Sequence, residues 1–141
     1  MAVTRPASDH GYQTISVHPL TGALGAEIGG LDFSRPVSDQ IKDEIRRAFA
    51  EHLVVFFADQ KIAPDQHVAL SLIFGEHQPI PHLTSVDGYP ELQIIRKAAE
   101  DESTYVIGEN WHADSTYLET PPGGVCMRAV VIPEVGGDTL F

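Results

Sequence analysis

Asn110-Trp111-His112-Ala113-Asp114-Ser115-Thr116 sets an imidazole and a carboxylate two residues apart, shortly before the proline pair Pro121-Pro122 and the apolar run from Gly124 to Ile132. In an extended strand successive side chains alternate faces, so positions i and i+2 point the same way. That spacing would let His112 and Asp114 offer one nitrogen and one oxygen to a single metal ion. Gly124 to Ile132 predicts a strong strand. Gly136-Gly137-Asp138 then predicts a turn into one more strand starting at Thr139, of which the sequence gives three residues, Thr139 to Phe141.

Upstream the pattern is mixed. Residues 1–11 are polar and read as a loose terminus. Thr14 to His18 and Ala23 to Ile28 predict two short strands around a turn at Pro19 and Gly22. Ser38 suits the N-cap of a helix over 39–52. On that helix Ile41, Ile45, Ala48 and Phe49 share one face, leaving Asp43, Glu44, Arg46 and Arg47 to face water. Leu53-Val54-Val55-Phe56-Phe57 predicts a central strand buried on both faces. Pro64 is a favourable first residue for a second helix to about Phe74, with Gly75 beyond its end. A long loop with prolines and histidines follows from Glu76 to Pro90, then a strand from Leu92 to Arg96 and a polar, exposed stretch from Lys97 to Tyr105. Short strands with two early helices predict a mainly β fold with flanking helices. A core whose final strand stops after three residues predicts an N-terminal part of one larger domain, spanning 1–141.

Composition narrows the function. The chain has 141 residues, 43% of them hydrophobic and 21% charged, which describes a globular protein with one core. Twenty acidic residues against nine basic ones give a net charge of −11, which argues against nucleic-acid binding through a basic face. The longest apolar stretch, Leu53 to Ala58, is too short to span a bilayer. Cys126 is the only cysteine, so no intrachain disulfide forms, in keeping with a reducing cytoplasm. Neither a dinucleotide glycine fingerprint nor a phosphate-binding P-loop occurs.

Neutral imidazole and carboxylate suit Fe(II), and a 2-His-1-carboxylate triad leaves positions free for a chelating co-substrate and O2. His112 and Asp114 would supply two of those three ligands. A bare His-x-Asp is also a common surface hydrogen-bonded pair, and no other histidine stands out as a third ligand. His77 and His82 lie in the long loop that could cover a site. Thr139 reads either as a β-branched strand filler or as a hydroxyl donor to a carboxylate.

The run Trp111-His112-Ala113-Asp114-Ser115-Thr116-Tyr117-Leu118-Glu119-Thr120-Pro121-Pro122, followed by Pro133-Glu134-Val135-Gly136-Gly137-Asp138-Thr139, resembles the TauD/TfdA family of Fe(II)- and 2-oxoglutarate-dependent dioxygenases. Pro19 to Ile28, Leu53 to Gln60 and Phe74-Gly75-Glu76 fall in the family's order. The resemblance implies a double-stranded β-helix, or jelly roll, of which this chain carries the N-terminal half. It makes His112 and Asp114 iron ligands and Thr139 a hydrogen-bond donor to 2-oxoglutarate. The third ligand, a histidine, and the arginine that pairs with 2-oxoglutarate would come from the C-terminal half.

The same resemblance implies O2 and a small organic acid as reactants, with a homo-oligomer compatible in the complete protein. In taurine-oxidising members a histidine after Phe-Gly-Glu contacts the sulfonate. Ile80 stands at that position here, with His77 and His82 beside it, and Ser115 is a further substrate candidate. Ile80 to Gln93 looks closer to the (R)-phenoxypropionate branch, which favours an arylalkanoate. Two rival expectations stand beside this one. The chain could be an inactive truncated product that only self-associates, or a jelly-roll metalloprotein that is no oxygenase.

Overall fold

The computed structural model describes residues 11–78, 83–98 and 108–141. Residues 1–10, most of 97–105, and Ile80 and His82 lie outside them. The chain divides into two compact units, Met1–Ile94 and Ile95–Phe141.

In the first unit, β1 (Ser16–Pro19) pairs antiparallel with β2 (Ala26–Gly29), joined by a turn that Thr21 Oγ1 ties by donating to the Leu24 carbonyl. β3 (Val55–Phe56) adds parallel to β2, giving the order β1-β2-β3. Between them α1 runs Asp39–His52, with the bounds its sequence pattern predicts. Ser38 caps it by accepting from the Ile41 N–H at 3.3 Å. Val17, Ala26 and Ile28 from the strands and Ile45 and Ala48 from α1 are buried, with Ile15 and Phe33. Phe33 meets Phe57 edge to face at 5.0 Å, and Phe49 meets Phe74 the same way at 5.2 Å.

The expected central strand at 53–57 is a short edge strand instead. Leu53 takes φ 64° and caps α1, its N–H donating to the Phe49 carbonyl, so the chain reverses before it can extend. Leu53 is 62% and Phe56 48% exposed, and among the described residues β3 has a neighbour on one side only. An apolar run alone does not supply the second partner that central burial requires.

α2 runs Pro64–Ser71, with proline at its start as expected. It then tightens into three-residue turns, Ile73 N–H to Leu70 O and Phe74 N–H to Ser71 O, rather than staying helical to Phe74. Beyond it, β4 (Ser85–Val86) and β5 (Tyr89–Gln93) form a hairpin around Asp87-Gly88, with Gly88 at φ 76°. The strand expected at 92–96 therefore begins three residues earlier. Asp-Gly between two β-prone pairs was its signal.

In the second unit no regular strand forms among the described residues. Gly124 to Ile132 forms no strand, and Val125, Met127, Val130, Val131 and Ile132 are exposed. β-propensity becomes a strand only through cross-strand pairing, and no ladder includes this segment among the described residues. The strand expected from Thr139 is likewise absent.

Glu44, read from sequence as solvent-facing, is buried. Its carboxylate accepts from the N–H groups of Gln13 (2.9 Å), Thr14 (3.0 Å) and Ile15 (3.2 Å) and from the Thr14 hydroxyl (2.8 Å). Burial pushes its pKa up, but these four donors outweigh burial and hold it at about 2, against an ordinary 4.5. The folded-state pKa lies below the unfolded one. The stabilisation is therefore complete above pH 4.5 and is lost as pH falls towards 2. Glu44→Gln is expected to lower stability at neutral pH by on the order of 2 kcal/mol. Denaturant melts across pH 2 to 7 check this: the difference between parent and variant should shrink as pH falls, and a constant difference would contradict the assignment.

Candidate metal centre

His112 and Asp114 lie in the second unit on irregular backbone, not on a strand. A turn over 114–117 follows them, with Ser115 at φ 51° and the Leu118 N–H donating to the Ser115 carbonyl at 3.0 Å. The two side chains still meet. His112 Nε2 stands 3.1 Å from Asp114 Oδ1, and the side chains are 52% and 50% exposed. Strand alternation is thus the wrong reason for a correct juxtaposition.

The other ring nitrogen is engaged. His112 Nδ1 lies 2.6 Å from the Asn110 carbonyl oxygen, which can only accept, so Nδ1 carries a proton. In the neutral ring Nε2 is then a bare lone pair facing a carboxylate oxygen. Two acceptors at that distance repel unless a cation lies between them, whether a proton or a metal ion. Without metal, the His112 pKa is pushed up, chiefly by the Asn110 hydrogen bond, which outweighs desolvation, with the charge and hydrogen bond of Asp114 adding to it. For a metal with bonds of about 2.1 Å, donors on adjacent positions at a right angle stand about 3.0 Å apart. The pair fits one edge of such a coordination sphere. Among the described residues no group of three or more histidine, cysteine, aspartate or glutamate side chains converges.

The remaining candidates are dispersed. Thr139 is exposed, and no hydrogen bond joins it to His112 or Asp114. Ser115 is half-buried beside Asp114. In the first unit His77 is half-buried, its Nε2 2.6 Å from Ser71 Oγ. Ser71 Oγ donates to the Val68 carbonyl at 2.9 Å, so it accepts from His77 Nε2–H and leaves Nδ1 as the outward nitrogen. Sequence reading missed both anchors. Asn110 acts through its backbone, which no side-chain pattern reports, and Ser71 sits a helix end away from His77.

An imidazole beside a carboxylate offers two donors of the kinds that mononuclear non-haem metal sites use. Comparison with known proteins carries the class further. Residues 16–141 match the family described as Taurine catabolism dioxygenase TauD, TfdA family. The chain belongs to the TauD/TfdA family, which uses Fe(II) with 2-oxoglutarate. It is 32% identical over 128 residues to an alpha-ketoglutarate-dependent sulfate ester dioxygenase of Pseudomonas putida, covering 90% of this chain and 41% of that protein. An (S)-phenoxypropionate/alpha-ketoglutarate-dioxygenase of Delftia acidovorans is 28% identical, covering 91% and 46%. A taurine dioxygenase structure from Burkholderia xenovorans superposes with a TM-score of 0.52 at 39% identity, over 55% of this chain and 28% of that one. The chain thus spans less than half the length of these relatives. No helix among the described residues is long and apolar enough to cross a membrane.

Cys126, in the same unit, is half-buried, and burial pushes its thiol up to about 11 from an ordinary 9.0. Its thiolate fraction at pH 8 should be roughly 100-fold below that of a free thiol. Alkylation by iodoacetamide, followed by mass spectrometry, is expected to be slower in proportion in the native protein than in urea; equal rates would contradict the burial.

Proposed function

We propose that the full polypeptide is an Fe(II)- and 2-oxoglutarate-dependent dioxygenase that hydroxylates a small organic acid, with His112 and Asp114 as two of its iron ligands. The observation that carries this is the 3.1 Å gap between His112 Nε2 and Asp114 Oδ1, with Nδ1 already committed to the Asn110 carbonyl. It presents two acceptors that a cation satisfies. When bound, Fe(II) with 2-oxoglutarate and O2 supplies the oxidation of an unactivated C–H bond.

The chain's own residues hold and orient. Asn110 fixes the ring of His112, and Asp114 supplies the carboxylate oxygen and part of the charge balance. Thr139 donates its hydroxyl to a 2-oxoglutarate carboxylate. The family resemblance supports His77, Ile80, His82 and Ser115 as candidate contacts to the organic acid. We place the family's jelly roll around this site. The substrate class is a sulfate ester, sulfonate or aryloxyalkanoate, which share an anionic group beside an oxidisable carbon. The names of the relatives support that class.

Anaerobic addition of Fe(II) and 2-oxoglutarate to the full-length protein should give a visible metal-to-ligand absorption band. His112→Ala should abolish it, and an unchanged band would refute the ligand assignment. Thr139→Val is expected to raise the KM for 2-oxoglutarate by roughly tenfold or more, the worth of one hydrogen bond to a charged group. An unchanged KM in steady-state assays would remove Thr139 from the site.

A further inference from the structure

The His112 ring is held by backbone, and that backbone has one unusual residue. Gly108 takes φ 83°, in the left-handed region that side-chain-bearing residues rarely adopt. It stands two residues before Asn110, the source of the carbonyl that captures Nδ1. It also lies against the ring itself: a Cβ built on Gly108 would sit 3.5 Å from His112 Cε1, the carbon between the two ring nitrogens. At 3.5 Å that contact is ordinary packing. Space is therefore not what demands glycine there; backbone conformation is. A left-handed residue at 108 thus stands beside the imidazole whose Nδ1 corner the Asn110 carbonyl holds.

We infer that Gly108 is a positioning residue for the metal centre. Its left-handed backbone aims the Asn110 carbonyl at His112 Nδ1, which fixes the ring orientation and keeps Nε2 on the side facing Asp114. Outer contacts of this kind set both the tautomer and the direction of a metal-ligating histidine. The role needs no side chain at 108, only a residue that accepts positive φ. The inference rests on His112 being a ligand.

The test titrates Mn(II) alone into full-length protein and follows the free-ion signal by electron paramagnetic resonance, with parent, Gly108→Val, Gly108→Asn and His112→Ala compared. Valine resists positive φ, whereas asparagine tolerates it, and both carry a Cβ. The expected result is loss of specific binding in His112→Ala, a roughly 10- to 100-fold weaker Kd in Gly108→Val, and a Kd within about threefold of the parent in Gly108→Asn. Circular dichroism melts establish that each variant is folded. If valine prevents folding, Gly108→Ala gives the same comparison with a smaller side chain.

Equal affinity in the Gly108→Val and parent proteins, with His112→Ala inactive in binding, would overturn the positioning role alone. Equal weakening by valine and asparagine would also overturn it, because the Cβ and not the backbone would then be responsible. Retention of Mn(II) by His112→Ala would instead overturn the ligand assignment beneath it.

Discussion

The buried carboxylate of Glu44 gathers three consecutive backbone N–H groups, those of Gln13, Thr14 and Ile15, and most of the first unit's order follows from that tie. A segment leading into a strand must satisfy its backbone donors before it can be buried. With no fourth strand beside it among the described residues, this one uses a side chain of α1. Ile15 and Val17 are buried, as are Ile45 and Ala48 of α1. Tyr12 extends the contact, its hydroxyl donating to Glu51 at 2.8 Å while the Arg47 guanidinium stacks 3.8 Å over its ring.

The same solution recurs where pairing is sparse. Gln60 accepts from the Phe33 N–H and donates to the Leu31 and Ala58 carbonyls, fastening two loops to each other. Gln66 accepts from the Ala63 N–H and donates to the Ser34 carbonyl, joining the start of α2 to the loop before α1. Arg46 donates to the Ile73 carbonyl at 2.6 Å, where α2 unwinds. Each bond takes up a backbone group that a longer strand or helix would have satisfied by itself.

What sequence could and could not show divides along that line. α1 was legible to the residue, because a serine cap, helical spacing and a 14-residue length are all local signals. So was the start of α2 at Pro64. Glu44 was not, since its partners lie about thirty positions away and nothing in DEIRR distinguishes a carboxylate facing water from one facing a backbone. Strand lengths failed for a related reason. An apolar run reports which residues favour a strand, while pairing decides how many become one. Leu53 to Phe57 and Gly124 to Ile132 both read as strands, and among the described residues only Val55 and Phe56 form one. At the candidate site, His112 and Asp114 come together on irregular backbone that leads into a turn, rather than on a strand.

That difference bears on how such a site tolerates change. On a strand, the two donors would be aligned by a ladder of hydrogen bonds, and a substitution nearby would be buffered by the rest of the sheet. Here the alignment rests on one carbonyl, that of Asn110, and on a backbone reversal at either side, Gly108 before and Ser115 after, both at positive φ. Side-chain identity at 110 matters little to a bond made by its carbonyl, whereas conformational freedom at 108 matters a great deal. On that reading, residues with no chemistry of their own would share in positioning the imidazole. Motif reading, which looks for imidazoles and carboxylates, passes over a glycine four positions upstream whose backbone lies in the left-handed region.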